Sequence, residues 1–415
     1  MMWISLSLLT IAVAGAGQTV QLRFSDLKKL VESQNDRVIA KGKEAEGAMQ
    51  RKGHLLRSFL PSLQVQAGQE HFEKGPLPAK TQPTFGVEVS ANLYNGHRDQ
   101  IENQKLVLRA ERRHIERLQV EASELAKARE LYWSRLYLRD YVKLLKTAQK
   151  DNAESLRAAV RRIRGGVSAE SDRFEFEMQQ SDLKREIERQ QLAIINQERQ
   201  LKLILGIDSE SQLVLDENLE HEHDWQEALR HTEKDHAFLV RPVEIRAREA
   251  QADAQIRKRA WLPRVDAFAA VQQFNQREEE DYERARDRQE SVVGVRLSMN
   301  VFDGFSGYKE GKALTLEAES AQAEARYRER EVEAHLHGEL AELQLLHNQV
   351  HEAEENILRA EKYYRLTRSE YGRGVKNSPD MLGATEKLIE VRQRRLMIVR
   401  DFQIAKSHVL TKIGR

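Results

Sequence analysis

Along residues 86–96, GVEVSANLYNG, apolar and polar side chains alternate. Val87, Val89, Ala91 and Leu93 share one side of an extended chain, and Glu88, Ser90 and Asn92 share the other. A period of two marks a strand that faces two environments. The pattern returns at residues 294–304, GVRLSMNVFDG, where Val293, Val295, Leu297, Met299 and Val301 oppose Arg296, Ser298 and Asn300. A partner strand precedes each copy. Leu63, Val65 and Ala67 alternate with Gln64 and Gln66, and Val265, Ala267, Ala269 and Val271 line one side of the second, although Phe268 and Ala270 blur its other side. Two hairpins are therefore predicted, at about 62–93 and 264–301. The first connector holds Gly75, Pro76, Pro78 and Pro83; the second is the longer, charged run REEEDYERARDRQE.

Between Gly96 and Gly165, and again between Gly304 and Gly372, there is no proline. Helices over 97–164 and 305–371 are expected, each ~100 Å long at 1.5 Å per residue. Leu336, Leu343, Val350, Ile357, Tyr364 and Tyr371 recur every seven residues, as do Leu131, Leu138 and Leu145 beside Leu118, Leu125 and Tyr132. A sustained heptad underwinds a helix into a left-handed supercoil. Each long helix turns at a Gly-Val and returns as a shorter one, over 171–205 and 379–413. Their packing stripes are Leu183, Ile187, Ile194 and Leu201, and Leu388, Val391, Leu396 and Val399. Helices flanking both hairpins predict a rod with strands at one end.

The chain thus states one design twice. Gly166-Val167 with Asp172 returns 208 positions later as Gly374-Val375 with Asp380, and Leu205-Gly206 as Ile413-Gly414; Leu60-Pro61 returns at the shorter offset of 202 as Leu262-Pro263. Units of about 200 residues are too long for solenoid repeats and fit an internal duplication. The expected organisation is a first repeat at 17–206, a linker at 207–240 where SQLVLDENLEHEHDW breaks the helical pattern, and a second repeat at 241–415. Ahead of them, the apolar run Ile4–Val13 leads into small residues that suit signal-peptidase cleavage after Ala14 or Ala16, so residues 1–16 are expected to be a signal peptide. A buried N-terminal helix is the other reading.

Four strands of ~10 residues with one apolar face match a transmembrane barrel, which needs ~8 strands to close. Copies of the chain must then pool their hairpins: two give 8 strands and three give 12. A soluble periplasmic coiled-coil scaffold, with the hairpins as oligomerisation units, explains the heptads equally well but not the apolar faces of membrane-spanning length.

Charge and chemistry narrow the classes further. Lys plus Arg number 67 against 66 Asp plus Glu, so no global basic field invites nucleic acid. With no cysteine there is neither a disulfide nor a thiolate site, and no thiol for a lipid anchor. No P-loop, G-x-S-x-G or H-E-x-x-H occurs, and no acid, base and nucleophile converge, so an enzyme is not expected. His221 with His223, and His347 with His351 at helical spacing, each offer two imidazoles. Two do not complete a zinc site, so solvated or packed histidines are expected, with no metal and no cofactor.

Taken in order, these elements resemble the TolC-like outer-membrane efflux proteins across nearly all of the mature chain: short helix, Leu-Pro, hairpin, Asn-Gly or Asp-Gly, long helix, turn and short helix, twice over. The most specific piece is the turn Tyr371-Gly372-Arg373-Gly374-Val375-Lys376-Asn377-Ser378-Pro379-Asp380-Met381-Leu382. The resemblance implies an α+β membrane protein: a homotrimer whose three chains pool a 12-stranded barrel in the outer membrane, over an α-barrel of long antiparallel coiled-coil helices in the periplasm. It implies an exit duct for efflux or type I secretion, working with an inner-membrane transporter and a periplasmic adaptor protein. By the same analogy Val87, Val89, Val295 and Leu297 face lipid, whereas Glu88, Ser90, Asn92, Arg296, Ser298 and Asn300 face the lumen. Asp172 would meet Tyr371 and Lys376 in a periplasmic gate, and Asp380 would form a three-fold acidic ring; plain helix capping is the other reading of both aspartates. The adaptor would dock at the turns holding Gly165, Gly166, Val167, Gly374 and Val375. One departure stands out: family members carry a second acid three positions after the ring aspartate, and this chain has Gly383.

Overall fold

A computed structural model of the protein describes residues 19–72, 80–166, 168–221, 225, 237–274 and 288–412. The predicted signal segment, Val167, His223 and most of both hairpin connectors lie outside these residues. In chain order the elements are β1 (Thr19–Leu22), α1 (Asp26–Gln34), α2 (Asp36–Gln50), α3 (His54–Phe59), β2 (Ser62–Phe72), β3 (Lys80–Tyr94), α4 (Arg98–Arg164), α5 (Glu170–Leu205) and β4 (Gln212–Leu215). They continue with α6 (Ala237–Lys258), β5 (Arg264–Phe274), β6 (Arg288–Ser298), α7 (Ser306–Gly372) and α8 (Ser378–Lys412). Among the described residues, no helix is long and apolar enough to cross a membrane.

The duplication extends to the atoms that turn the chain. Gly96 and Gly304 are both left-handed, with φ of 73° and 67°, and so are the residues after them, His97 and Phe305. In each copy the preceding side chain caps the long helix: Asn95 Oδ1 accepts the Asp99 amide at 3.3 Å, and Asp303 Oδ2 accepts the Gly307 amide at 2.7 Å. Such side-chain acceptors satisfy amides that the first helical turn leaves without carbonyl partners. At the far ends Gly166 and Gly374 are again left-handed, and their amides bond to the carbonyls of Ile163 and Tyr371.

The chain divides into two compact units, and each draws on both repeats: Met1–Lys41, Arg117–Leu239 and Glu331–Arg415 form one, and Gly42–Glu116 with Val240–Arg330 the other. Each compact unit therefore combines segments of both repeats. The reason lies in the sheet, whose order is β2-β3-β5-β6, so that the two hairpins pair with each other through β3 and β5. Every neighbouring pair is antiparallel. The registers align the apolar positions into cross-strand rows: Leu63, Val89, Ala269 and Val293 in one, Ala91, Ala267 and Val295 in another. These rows are open in the single chain, with Val293 84% and Leu63 68% exposed. Phe268, which broke the predicted alternation, shares its face with Gly294 directly opposite and with Arg296, whose guanidinium sits 4.5 Å from the ring centre. An aromatic ring covering a cross-strand glycine is a known way of filling that gap. Pro83 lies within β3, opposite Gln69 of β2, rather than in the connector.

In the unit holding the helix turns, Leu27, Val31, Tyr132, Leu136, Leu201, Leu205, Val350 and Val399 are buried together. The heptad stripe of α7 is responsible for its share: Leu343, Val350, Tyr364 and Tyr371 are all buried. The 207–240 segment contributes β4, which pairs in parallel with β1, an element the sequence pattern did not reveal. Helix α6 begins at Ala237, inside the predicted linker, and tolerates Pro242. The carbonyl that Pro242 leaves without an amide, that of Phe238, accepts the Gln119 side-chain amide at 3.0 Å.

Gly96 and Gly304 make a test of the strand-to-helix turn. A Cβ on Gly96 would lie 2.8 Å from Leu262 Cβ, whereas one on Gly304 meets open space. We expect Gly304→Ala to cost about 1 kcal/mol for its left-handed backbone and Gly96→Ala measurably more. Thermal unfolding of the two variants in detergent, side by side, reads the difference.

Candidate gate at the helix turns

The end of α4 carries Arg161, Arg162 and Arg164 in its last turn, next to the end of α7 and the starts of α5 and α8. Arg162 is the one that reaches across: its Nη1 donates to the Tyr371 carbonyl at 2.7 Å, and its guanidinium lies 4.4 Å from the Tyr371 ring centre. The same ring meets Phe176 in a T-shaped contact, with ring centres 6.0 Å apart. Phe176, Tyr371, Met381, Ala384 and Leu388 form a small buried cluster of their own. Tyr371 is therefore a wedge between a cation and an aromatic edge, an arrangement worth roughly 0.5–2 kcal/mol for the cation alone. Its hydroxyl is buried without a hydrogen-bond partner. Burial pushes that phenol above its ordinary range, the charges of Asp172 and Glu175 add to the rise, and Arg162 opposes it.

Asp172 and Glu175 converge on Ser378, the first residue of α8, whose side chain is fully buried. The Ser378 hydroxyl lies 2.8 Å from Asp172 Oδ1 and 2.6 Å from Glu175 Oε2. One hydroxyl carries one proton and serves one carboxylate at a time, so two acids share a single donor here. Within the chain Asp172 accepts from Ser378, and its charge acts on Tyr371. Lys376 instead lies 3.6 Å from Asp380, one helical turn along. Asp380 itself completes a reciprocal cap: Asn377 Oδ1 accepts the Asp380 amide at 3.1 Å, and Asp380 Oδ2 accepts the Asn377 amide at 3.4 Å. This is the capping-box arrangement. It leaves the Asp380 side chain partly exposed. Gly383 stands in open space on the same helix.

The turns are otherwise bare. Gly165, Gly166 and Gly374 are exposed, and Val375 presents 71% of its surface. The predicted lumen residues sit as follows. Ser90 Oγ lies 3.0 Å from Ser62 Oγ across the strand pair, Glu88 stands between Gln64 and Ala270, and Ser298 pairs with Arg264. Asn92 donates to Asp99 at the start of α4, at 2.7 Å, next to a register shift in β3. Asn300 lies beyond the end of β6, in a cavity of about 770 Å³ lined also by Trp261, Phe302 and Tyr308.

The histidines depart from expectation. His221 and His347 stand with ring nitrogens 3.0 Å apart, and His351 joins them, so the third imidazole that neither sequence pair offered comes from the other pair. Sequence reasoning also missed Arg162, Glu175 and Ser378. Nothing in local pattern separates Arg162 from its basic neighbours.

A four-stranded antiparallel sheet with an apolar face is joined to two 67-residue helices that turn and return. Residues 229–415 match the family described as outer membrane efflux protein. Solved channels share the fold across nearly the whole chain. The outer-membrane channel OprN is 14% identical, with a TM-score of 0.80 over 94% of this chain and 89% of that one. VceC of Vibrio cholerae is 13% identical, with a TM-score of 0.75 over 94% and 96%. MtrE of Neisseria gonorrhoeae, solved in its open state, is 13% identical, with a TM-score of 0.76 over 94% and 89%. No curated protein matches the chain. The chain thus shares the fold of solved outer-membrane channels.

Because the Tyr371 hydroxyl has no partner, Tyr371→Phe should change stability by no more than ~0.5 kcal/mol. Tyr371→Ala empties the wedge and should cost ~3–5 kcal/mol locally. Hydrogen exchange of the amides around 366–374 separates the two outcomes.

Proposed function

We propose that three copies of this chain form a duct that carries cargo across the periplasm and outer membrane without chemistry of its own, driven by an inner-membrane transporter and opened by a periplasmic adaptor. The observation that carries this reading is the open sheet: four strands with an exposed apolar face and two unpaired flanks, in a fold shared with outer-membrane channels. The two edge strands run in opposite directions, so β6 of one copy meets β2 of the next antiparallel and a ring of copies can close. Three copies give twelve strands, the count that the family resemblance favours over the eight of a pair.

The helix turns are the gate in this reading. Arg162 clamps the end of α7 to the end of α4, and Ser378 ties the start of α8 to Asp172 and Glu175. Asp380, partly exposed at the start of α8, supplies one acid per copy to a ring around the axis, where carboxylates repel one another and attract cations. Val375, exposed at the tip of its turn, is an apolar anchor for the adaptor beside Gly374 and its counterparts Gly165, Gly166 and Val167. The adaptor opens the duct to the extent that it binds the open form better than the closed one.

Single-channel conductance of the purified assembly tests the gate. Arg162→Ala, Ser378→Ala and Asp172→Ala should each raise conductance or open probability several-fold; unchanged conductance in all three would remove these residues from the gate. Selectivity tests the ring. Gly383→Asp has room for its side chain and gains helix propensity, and it should shift the reversal potential in a salt gradient toward cations. Asp380→Asn should shift it the other way.

A further inference from the structure

We propose that His221, His347 and His351 form a binding site for one divalent late transition-metal ion, with zinc as the type case, that clips the segment between the two repeats onto α7. This inference does not depend on the duct reading.

The three side chains offer ligand nitrogens that all lie within 4.8 Å of one another. His347 and His351 are four residues apart on one face of α7, the His-x3-His spacing that delivers two imidazoles to one ion. His221 arrives from the chain after β4, and its Nε2 is 3.0 Å from His347 Nδ1. Nitrogens bound to one tetrahedral zinc at about 2.0–2.1 Å stand roughly 3.3 Å apart, so this pair is at ligand spacing. Without metal, a ring N–H can bridge these two nitrogens; metal binding displaces that proton. Closing the remaining separation to ligand spacing needs a side-chain shift of order 1 Å, and His351 lies on the exposed side of the cluster.

The surroundings hold the ligands in place. Phe402 packs edge-on against the His221 ring at 4.5 Å, and Trp225 lies 6.2 Å from His347. The carbonyl of Glu220, one residue before the ligand, accepts the buried Gln403 side-chain amide at 2.7 Å, which fixes the backbone that presents His221. Nearby on α7, the Glu354 carboxylate is held by Arg395 at 2.9 Å. Three neutral imidazoles with no carboxylate or carbonyl in the ligand set select zinc, copper or nickel and disfavour magnesium and calcium. The exposed side at His351 leaves a fourth position for water, as in three-histidine sites.

The test uses the full-length, tag-free protein in detergent, stripped with a chelator and titrated with Zn²⁺ against a chromophoric competitor. Wild type should bind one Zn²⁺ per chain. His221→Ala, His347→Ala and His351→Ala should each weaken binding at least ~10-fold, and His408→Ala should not. With Cu²⁺ as the probe, the electron paramagnetic resonance spectrum should show nitrogen ligands, reduced in number in each variant, and Trp225 fluorescence should be quenched. The chelator-treated variants should elute and unfold as wild type does, which separates lost ligation from lost folding. A wild type that binds no Zn²⁺ below ~0.1 mM, or binding that all three substitutions leave unchanged, overturns the proposal.

Discussion

The backbone amides and carbonyls along the outer flanks of β2 and β6 need partners. Among the described residues of one chain those strands pair on one side only, with β3 and β5 respectively. In water such edges are a liability, and in lipid they are untenable, because nothing there replaces a missing hydrogen bond. The apolar rows across the sheet point the same way: Leu63, Val293, Val295 and Leu297 are open in the single chain and match a hydrocarbon surroundings. Closure with further copies satisfies both demands at once. The heptad stripes of the long helices make a parallel demand for neighbouring helices to pack against.

Much of this architecture was legible in the sequence because it is written in periods. Alternation at two exposed the strands, the heptads exposed the long helices, and the offset of 208 exposed the duplication, down to Asn95-Gly96 and Asp303-Gly304 capping equivalent helices. What stayed hidden depends on which segments meet in space. The β1–β4 pair joins residues nearly two hundred positions apart through four-residue strands too short to show a period. The hairpins were legible singly, but not their pairing through β3 and β5, which makes the compact units cut across the repeats.

The same distinction governs the sites. Tyr371 and Asp172 stood out through a family-like turn, yet their contacts are made by Arg162 and Ser378, residues of unremarkable type in unremarkable local sequence. The histidines show it more sharply. Each pair was visible and each was incomplete, and only the fold carries His221 from the linker to the face of α7 that holds His347 and His351. A residue's type and neighbours in sequence announce its chemistry; its partner across the fold decides whether that chemistry is used.

The central claim is that the sheet closes with other copies inside a membrane. Native mass measurement of the protein extracted from the outer membrane in detergent tests it most directly. The account predicts an assembly of three chains that needs detergent to stay in solution. A chain that leaves the membrane fraction in plain buffer, or that runs as a monomer in detergent under conditions that preserve its strands, would contradict it.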